Sequence, residues 1–353
     1  MEPLRLRSSV EQVADRLRDD LSLGRLRGDM PGVLKLEEQL GVNRNTIESA
    51  LRILESEGWL RAEGKGRKRH ILGRPPSEAT KRRIAILDYD PPELTQGYIS
   101  QLPYLLGQAG HDAFFAARSL TELKMDLRRV KRLVEMTPAD AWVVTAGSRE
   151  ILEWFAARGE PVLALFGRRR GLRIAGVGPD KPPAVAAATR RLLELGHRRI
   201  VLMARTARRK PEPGATERSF LREIAAAGIQ AGSYHLPDWG ADQGGFCGCL
   251  DALFQLTPPT ALIIEEAVFY ITALQYCAHR GLRVPADVSL VCTDADPGFV
   301  WSQPSVAHIR WDHRPVVRRI LRWAANVGLG VEDVRQTLTT ATFVDGGTMG
   351  PAS

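Results

Sequence analysis

"GVNRNTIESALRILESEGWL", residues 41–60, is the stretch that decides the fold of the N-terminal part. At about 100° per residue, Ile47, Ala50, Leu51 and Leu54 gather on one stripe, the pattern of a short helix packed on a small core. The polar residues lie together on the opposite face: Asn45, Ser49 and Arg52, flanked by Thr46 and Glu48. That face is either a solvated surface or a surface that contacts base edges, and the neighbouring segments decide between the two.

The segments around this helix predict two further helices and a hairpin. Capping-box patterns at Ser8 and Ser9 start a first helix that should end at Gly24. "VLKLEEQL" forms a second helix that stops at Gly41, and Asn43 stands at the N-cap position of the third. The strand-like stretches "WLRAE" and "RKRHIL" flank the glycine turn "GKG". Helix, helix, turn, helix and a basic hairpin is the order of a winged helix-turn-helix.

Positive charge is concentrated next to this region. The chain has a net charge of +8 and a pI near 9.6, and residues 61–83 carry nine Arg or Lys against only Glu63 and Glu78. A basic stretch beside a helix-turn-helix favours a polyanionic partner such as double-stranded DNA.

Length and composition set the class of protein. The 353 residues, with 44% hydrophobic and 25% charged residues, predict two or three globular domains. We expect no transmembrane helix, because no run of 18 apolar residues occurs, and no signal peptide, because the N-terminus lacks an apolar segment. Four cysteines give no disulfide framework, so we expect a reducing cytoplasm, and Cys247 and Cys249 form a lone C-G-C with no second pair of ligands near, so we expect no metal site. We also expect no cofactor.

The N-terminal motifs resemble the GntR family. "DRLRDDLSLGRLRGDMP" is similar to that family's first helix and its G-x-L-x-x-G-D-x-L-P stretch, and "LEEQLGVNRNTIESALRILESEGWLRAEGKG" is similar to its recognition unit and wing. The resemblance implies a winged helix-turn-helix domain over residues 1–72 that binds a DNA operator. Two arginines usual in the family are replaced here, one by Leu34 and one by Glu48.

The third helix and the wing supply the residue types that read DNA. We expect Arg44 to reach phosphate or guanine, and Lys65, Arg67, Lys68 and Arg69 to suit the backbone or the minor groove. Glu48 either pairs with an arginine four residues away or accepts from a cytosine amino group. A helical domain used for protein contact is the alternative. The predicted DNA-binding residues are Arg44, Asn45, Thr46, Ser49, Arg52, Lys65 and Arg67.

Beyond the linker "GRPPSEATKRR" (residues 73–83), short apolar runs alternate with helical stretches. Runs such as "RRIAILDY", "AWVVTA", "PVLALFG" and "TALIIEE" predict parallel strands covered by helices on both faces. The expected fold class is therefore α/β, with six such runs forming a two-lobed domain of parallel sheets behind the winged helix-turn-helix.

This second region resembles the effector domain of the LacI family, which is similar to periplasmic sugar-binding proteins. The resemblance rests on "AAATRRLLELGHRRIVLM", "GLRVPADVSLVCTDAD" and "PSVAHIRWDHRPVVRRILRWA". It implies an effector-binding and dimerisation domain over residues 84–345, with lobe 1 at about 84–179 and 306–327 and lobe 2 at about 180–305. It also implies a homodimer with a small effector, a carbohydrate or derivative, between the lobes. The final "QTLTTATFVDGGTMGPAS" looks like one strand and a frayed tail.

Ligands of such lobes sit at the carboxyl ends of the strands. Tyr89 and Asp90 end the first strand, and Asp294 matches the first Asp of the family's G-F-D-D, where a cap is the alternative role. Trp239 matches an aromatic that stacks on sugars in some relatives, and core packing is its alternative. The predicted ligand-binding residues are Tyr89, Asp90, Arg218, Trp239, Asp294 and Trp311.

Several positions depart from the family's ligand pattern. Thr216 stands where the family has an arginine, with Arg218 two residues later, and Trp311 replaces a glutamine. The family's N-D pair is replaced here by Glu266 and Ala267, and its D-R pair is replaced by Phe166 and Gly167. The resulting pocket is more aromatic and suits a modified sugar, another ligand, or none.

The sequence therefore predicts a dimeric, ligand-responsive DNA-binding transcriptional regulator, and we expect a repressor. A regulator whose lobes only dimerise and bind no effector is the first alternative. An enzyme is the second, although G-x-S-x-G, P-loop, G-x-G-x-x-G and H-E-x-x-H motifs are absent from the sequence.

Overall fold

The computed structural model describes residues 9–22, 26, 28–62, 68–72, 80–91, 94, 97–240 and 242–352. The chain divides into two compact units, Met1–Thr80 and Lys81–Ser353, and each has its own hydrophobic core. In these described ranges, no helix is both long enough and apolar enough to span a membrane.

The described part of the first unit consists of helices and one antiparallel hairpin: α1 (Ser9–Ser22), α2 (Val33–Leu40), α3 (Arg44–Ser56), β1 (Leu60–Ala62) and β2 (Arg69–Ile71). The Asn43 side chain accepts a hydrogen bond from the Thr46 amide at 2.9 Å, so the predicted N-cap of α3 is confirmed. Gly41 ends α2 with φ 64°, a left-handed conformation that favours glycine. The predicted hairpin tip, residues 63–67, lies outside the described residues.

The apolar stripe of α3 forms the centre of the first unit. Ile47, Ala50, Leu51 and Leu54 are all buried, as the periodicity predicts. They pack against α1, α2 and β1 through a shared cluster that includes Val13, Leu17, Leu36 and Leu60. Because this stripe is used for packing, the opposite face of α3 is the one left to solvent.

The second unit begins with strands and helices in alternation: β3 (Arg83–Leu87), α4 (Leu102–Gln108), β4 (Asp112–Phe115), α5 (Leu127–Met136), β5 (Ala141–Thr145), α6 (Arg149–Arg158), β6 (Val162–Leu165) and β7 (Ala175–Pro179). It continues with α7 (Lys181–Glu194), β8 (Ile200–Met203), α8 (Thr206–Arg209), α9 (Ala215–Ala226), α10 (Gln243–Leu256), β9 (Ala261–Ile264), α11 (Ala267–His279), β10 (Ser289–Cys292), a 3₁₀ helix (Pro297–Trp301) and β11 (Ala307–Trp311). It ends with α12 (His313–Gly328), β12 (Gln336–Thr339) and β13 (Ala341–Val344).

These strands form two sheets, one in each lobe. The first has the order β12-β7-β6-β5-β3-β4 and is parallel throughout. The second has the order β13-β11-β10-β9-β8, with only β13 antiparallel. Apolar clusters cover both faces of each sheet, which explains the continuous apolar runs in the sequence. The predicted α/β class with parallel sheets is confirmed.

The chain passes between the lobes at three places, marked by Asp180, Asp312 and Thr340. We expected the return to lobe 1 at about residue 306, but β11 pairs with β10 in the second sheet, so the return comes after Trp311. The stretch predicted as one final strand is two strands, β12 and β13, in different sheets.

The prediction of a frayed C-terminal tail is wrong for the described residues that follow β13. Thr348 and Met349 are buried, and the Gly350 carbonyl oxygen lies 2.9 Å from the Nε2 atom of His197. The Ala352 amide donates to the Leu195 carbonyl. The tail stays in place because lobe 2 supplies partners for its backbone groups.

Candidate functional site

The exposed face of α3 is the first candidate site. Arg44 and Arg52 have side chains that are 70% and 71% exposed, and Asn45 is exposed beside them. Asn45 and the half-buried Ser49 form no side-chain hydrogen bond with any residue that the structure describes. Thr46 differs, because its hydroxyl donates to Asn43 Oδ1 at 3.0 Å and belongs to the helix cap.

Glu48 forms the expected ion pair within this face. Its Oε1 atom lies 2.9 Å from Arg44 Nε, and its Oε2 atom lies 4.0 Å from an Arg52 nitrogen. The hydrogen bond from Arg44 lowers the pKa of the Glu48 carboxyl, and the same bond raises the pKa of Arg44. Glu48 therefore orients the two arginines on the helix surface.

The described part of the hairpin holds two of the four cations expected there, Lys68 and Arg69. Lys65 and Arg67 lie outside the described residues. Lys68 is exposed, with its Nζ atom 3.8 Å from Asp29. Arg69 instead pairs with Glu55 of α3, so its guanidinium holds the hairpin to the helix. On α2, Leu34 is 73% exposed at the position where the resembled family has an arginine.

The crevice between the two lobes is the second candidate site, and strained residues border it. Ala146, Phe166 and Glu266 have φ of 48°, 60° and 65°, and they follow β5, β6 and β9. Non-glycine residues in this region cost about 1–3 kcal/mol each and persist where the surrounding structure holds them. All three lie at carboxyl ends of strands, the edge that borders the crevice in folds of this class.

Arg205, which follows β8 in lobe 2, is the central cation of the crevice. Its two terminal nitrogens lie 3.2 Å from the two carboxylate oxygens of Asp90 in lobe 1. Nη2 also lies 2.8 Å from Glu266, and the Arg205 amide donates to Glu265 at 2.7 Å. Arg205 thus bridges the two lobes through carboxylates on both sides.

Aromatic rings enclose the same guanidinium. Arg205 lies 5.1 Å from the ring centroid of Tyr89 in lobe 1 and 4.8 Å from that of Phe269 in lobe 2, both cation–π distances. Trp239 packs edge-on against Phe269 with centroids 5.0 Å apart and is itself buried. Its indole Nε1 finds no hydrogen-bond partner among the described residues. Trp239 is therefore a core residue at the border of the crevice.

Asp294, at the end of β10, is the second ionic centre. Its Oδ1 atom accepts from Lys181 Nζ at 2.6 Å and from the indole nitrogen of Trp311 at 3.0 Å. Lys181 begins α7 directly after the first crossover, and Trp311 ends β11 directly before the second. Asp294 therefore ties both crossovers together.

Tyr98 adds a buried hydroxyl beside this group. Its ring stacks on His313 with centroids 5.4 Å apart and meets the edge of Trp311, which also contacts Phe166. The hydroxyl has no hydrogen-bond partner among the described residues. Burial, reinforced by the negative charge of Asp294, raises the pKa of Tyr98 and keeps the phenol protonated.

The structure brings five of the six predicted ligand residues to the crevice or its border: Tyr89, Asp90, Trp239, Asp294 and Trp311. Arg218 does not join them, since it is exposed on α9 and donates to the Pro213 carbonyl at 2.5 Å. Arg205 and Lys181 were not predicted from the sequence. Arg205 closely follows strand β8 and Lys181 directly follows the first crossover, and these positions in the sequence could have indicated that both border the crevice. Within the described ranges, no group of three or more His, Cys, Asp or Glu side chains is placed to hold a metal ion.

Comparisons with known proteins match both units. Residues 9–67 match the family model of bacterial regulatory proteins of the gntR family. Residues 189–348 match the model of the periplasmic binding protein-like domain.

Two curated relatives are both regulators by name. An uncharacterized HTH-type transcriptional regulator of Streptomyces limosus is 30% identical over 190 residues, which is 53% of this chain and 52% of the relative. The chain thus spans about half the length of that relative. The HTH-type transcriptional regulator reg1 of Streptomyces lividans is 24% identical over 296 residues, 76% of this chain and 78% of the relative.

Solved structures agree with the fold. A LacI family transcriptional regulator from Mycobacterium smegmatis covers 77% of this chain and 99% of its own, with a TM-score of 0.59 and 21% identity. The lac repressor dimer bound to operator and an anti-inducer covers 77% of this chain and 95% of its own, with a TM-score of 0.61 and 16% identity. At these identities the likeness establishes the fold alone.

Proposed function

We propose that this chain, which joins a gntR-family helix-turn-helix domain to a periplasmic binding protein-like domain, is a sequence-specific DNA-binding transcriptional regulator acting in the cytoplasm. The observation that carries the proposal is the exposed face of α3. Its apolar stripe is buried, while Asn45 and Ser49 stand without side-chain partners among the described residues. Such a helix can enter the major groove with its polar side chains directed at base edges.

The residues of α3 divide into two roles in this proposal. Asn45 and Ser49 contact bases, because amide and hydroxyl groups match base donors and acceptors. Arg44 and Arg52 contact phosphate or guanine, and Glu48 holds both in position through its ion pairs. We expect Lys65 and Arg67, which lie outside the described residues, to add contacts to the DNA backbone, and Thr46 to contribute through the helix cap.

The regulator acts as a homodimer in this proposal, because a two-fold operator requires two recognition helices. An apolar surface on lobe 2 supports this. Val268, Ile271 and Leu274 of α11 are exposed on one stripe. The adjoining 3₁₀ helix, which contacts α11 through Phe299, exposes Trp301. Exposed apolar residues grouped on one helix face, as on α11, mark association surfaces.

A small effector, a carbohydrate or derivative, binds in the crevice and shifts the balance between lobe conformations. Aromatic rings and charged groups from both lobes converge there, as in sites for polar ligands. A ligand that prefers one conformation changes operator affinity, typically by 5–150-fold. We propose that the protein is a repressor, which blocks transcription while it is bound to its operator.

A second candidate is a regulator whose lobes bind no effector. One observation favours it: the Arg205 guanidinium lies between the rings of Tyr89 and Phe269, and Lys181 forms an ion pair with Asp294, so protein groups already use these ligand-binding positions. In that case the two lobes serve only to dimerise the chain. A thermal-shift screen with sugars and sugar derivatives separates the two, because a ligand at 100 times its Kd stabilises by about 2.7 kcal/mol.

Footprinting on the DNA upstream of its own gene, combined with transcription in vitro, tests the proposed function. We expect one protected site with two-fold symmetry, and fewer transcripts in the presence of the protein. Asn45→Ala combined with Ser49→Ala should remove protection, while Arg283→Ala, an exposed arginine of lobe 2, should leave it unchanged. No protected site, or equal protection by the α3 variant, contradicts the proposal.

A further inference from the structure

Arg169 is a buried cation without a counter-charge. It follows β6 by four residues and is only 8% exposed. Its Nη1 atom donates to the Phe166 carbonyl oxygen at 2.8 Å, and its buried Nε atom has no partner among the described residues. No described carboxylate forms an ion pair with it, including Asp180 at the end of the neighbouring strand.

The other buried arginines of the described ranges each have a carboxylate partner, although their Nε atoms, like that of Arg169, have no hydrogen bond to a described residue. Arg209 pairs with Asp238, and Arg319 lies 2.8 Å from Asp333. Burying a guanidinium is costly unless an anion compensates it, and these two follow that rule. Arg169 is therefore the exception that requires an explanation. Burial lowers the pKa of Arg169 to about 10, so the side chain remains cationic at neutral pH.

Two glycines of β7 make room for this side chain. A Cβ atom on Gly176 would lie 2.3 Å from Arg169 Cδ, and one on Gly178 would lie 3.4 Å from Nη2. The stem therefore crosses β7 at Gly176 and the guanidinium lies beside Gly178. This direction leads toward Pro179, the carboxyl end of the strand.

That end of the sheet borders the crevice. Phe166, whose carbonyl oxygen accepts from Arg169, contacts the ring of Trp311, with centroids 5.9 Å apart. Trp311 in turn donates to Asp294, which pairs with Lys181. Arg169 thus contacts the backbone of Phe166, whose ring lies on the lobe 1 side of the crevice.

The edge of the guanidinium formed by Nε and Nη2 is the one with no hydrogen bond to a described residue. Two parallel N–H groups on one edge match the two oxygens of a carboxylate or phosphate. We propose that Arg169 binds an anionic group, carboxylate or phosphate, of the effector in the crevice. This proposal rests on the effector-binding part of the proposed function and specifies the chemistry of the ligand.

Calorimetry and thermal shift of the full chain test the proposal with four probes: inorganic phosphate, D-glucose 6-phosphate, D-gluconate and neutral D-glucose, each at millimolar concentration. We expect at least one anionic probe to bind and neutral glucose not to bind. The three anionic probes show whether the bound group is free phosphate, the phosphate of a sugar or the carboxylate of a sugar acid. Arg169→Met should weaken the binding at least about tenfold, since charged hydrogen bonds are lost.

Two further measurements separate a binding role from a structural one. If Arg169 binds the anion, ligand-free Arg169→Met should unfold at the same temperature as the parent chain or higher, because an uncompensated charge is removed. Arg169→Lys should keep part of the affinity, and Arg170→Gln, an exposed neighbour, should keep all of it.

The proposal is overturned by equal binding of the anion to Arg169→Met, by binding of neutral glucose alone, or by no response to any anionic probe. Operator binding, measured in the same preparations, is independent of these outcomes. If the parent chain does not bind operator, the proposed function is overturned. If only neutral glucose binds, the proposal that the effector carries an anionic group is overturned and the proposed function is not.

Discussion

Arg205 of lobe 2 and Asp90 of lobe 1 form a two-point ion pair across the crevice, with both nitrogen–oxygen distances 3.2 Å. The pair is partly shielded from water, with 13% of the Arg205 side chain exposed, so it is stronger than a surface pair. It joins the strand ends of the two lobes. Any effector that enters has to exchange its own polar groups for this contact.

Asp90→Asn should therefore destabilise the second unit. We expect a loss of about 1–3 kcal/mol in the free energy of unfolding, because a charged hydrogen-bonded pair is broken while Arg205 stays in place. Urea unfolding followed by circular dichroism measures it. The matched control is Asp112→Asn, whose pair with Arg83 is 3.5 Å long and about half exposed, and it should cost less than about 1 kcal/mol. Equal losses in the two variants would show that the interlobe pair has no special role.

Asn45→Ala should relax the sequence preference of DNA binding. A base contact of this kind contributes about 1–3 kcal/mol of discrimination, so the preference for operator over random duplex should fall about 5–150-fold. Arg52→Ala, if the arginine contacts phosphate, should weaken operator and random duplex alike and reduce the salt slope by about 1. Competition binding with both duplexes measures the difference. A uniform loss in Asn45→Ala would contradict its assignment to a base.

Leu34→Arg should strengthen DNA binding. The leucine is exposed on α2 where the resembled family has an arginine, so the new cation meets no packing obstacle. One additional phosphate contact should steepen the dependence of log K on log salt by about 0.9. Binding at several salt concentrations measures this slope, with Leu34→Gln as the uncharged control. An unchanged slope in Leu34→Arg would place α2 away from the DNA backbone.

Ile271→Lys with Leu274→Lys should convert the proposed dimer to a monomer. Both residues belong to the exposed stripe of α11, and two charges in an apolar interface carry a large desolvation cost. Light scattering on a sizing column measures the mass. Val331→Lys, an exposed apolar residue outside that stripe, is the control and should remain dimeric. A dimer that survives the double substitution would exclude the α11 surface.

Stability should fall as the pH is lowered through about 6.5. Burial lowers the pKa of His197, which lies against Thr260 and the C-terminal tail, so the folded state binds a proton less readily than the unfolded state. The stabilisation is complete above the ordinary pKa of about 6.5 and is lost as pH falls, by up to about 1.4 kcal/mol per pH unit. Urea unfolding at about pH 7.5 and about pH 5.5 measures it.

The control for this pH dependence is the exposed His279. His279→Asn should retain the full loss of stability at low pH, while His197→Asn should show a smaller one. The same slope in the parent chain and in His197→Asn would assign the effect to another group.

Local patterns predicted the helices and strands well because their causes are local. The stripe from Ile47 to Leu54 and the cap at Asn43 depend on residues a few positions apart, and both are present. The pairing of Glu48 with Arg44 follows from helical spacing in the same way. Burial on both faces of the sheets explains why "AWVVT" and "VLAL" are apolar throughout.

Long-range relations were harder to predict. Whether β11 stays in lobe 2 depends on its pairing with β10, which no local pattern encodes. Arg205 was missed because its partners Asp90 and Glu266 lie far away in the sequence and meet it only in the folded domain. The docking of the tail on His197 depends in the same way on residues more than 150 positions apart.

The most direct test of the proposed DNA-binding function is fluorescence anisotropy of the full chain on DNA from upstream of its own gene, titrated against salt. We expect steep salt dependence together with binding at least about 1,000-fold tighter than to random duplex of equal length, a preference that falls in Asn45→Ala. Weak binding that is indifferent to sequence and unchanged in Asn45→Ala would contradict it. The exposed face of α3 would then be only a solvated surface.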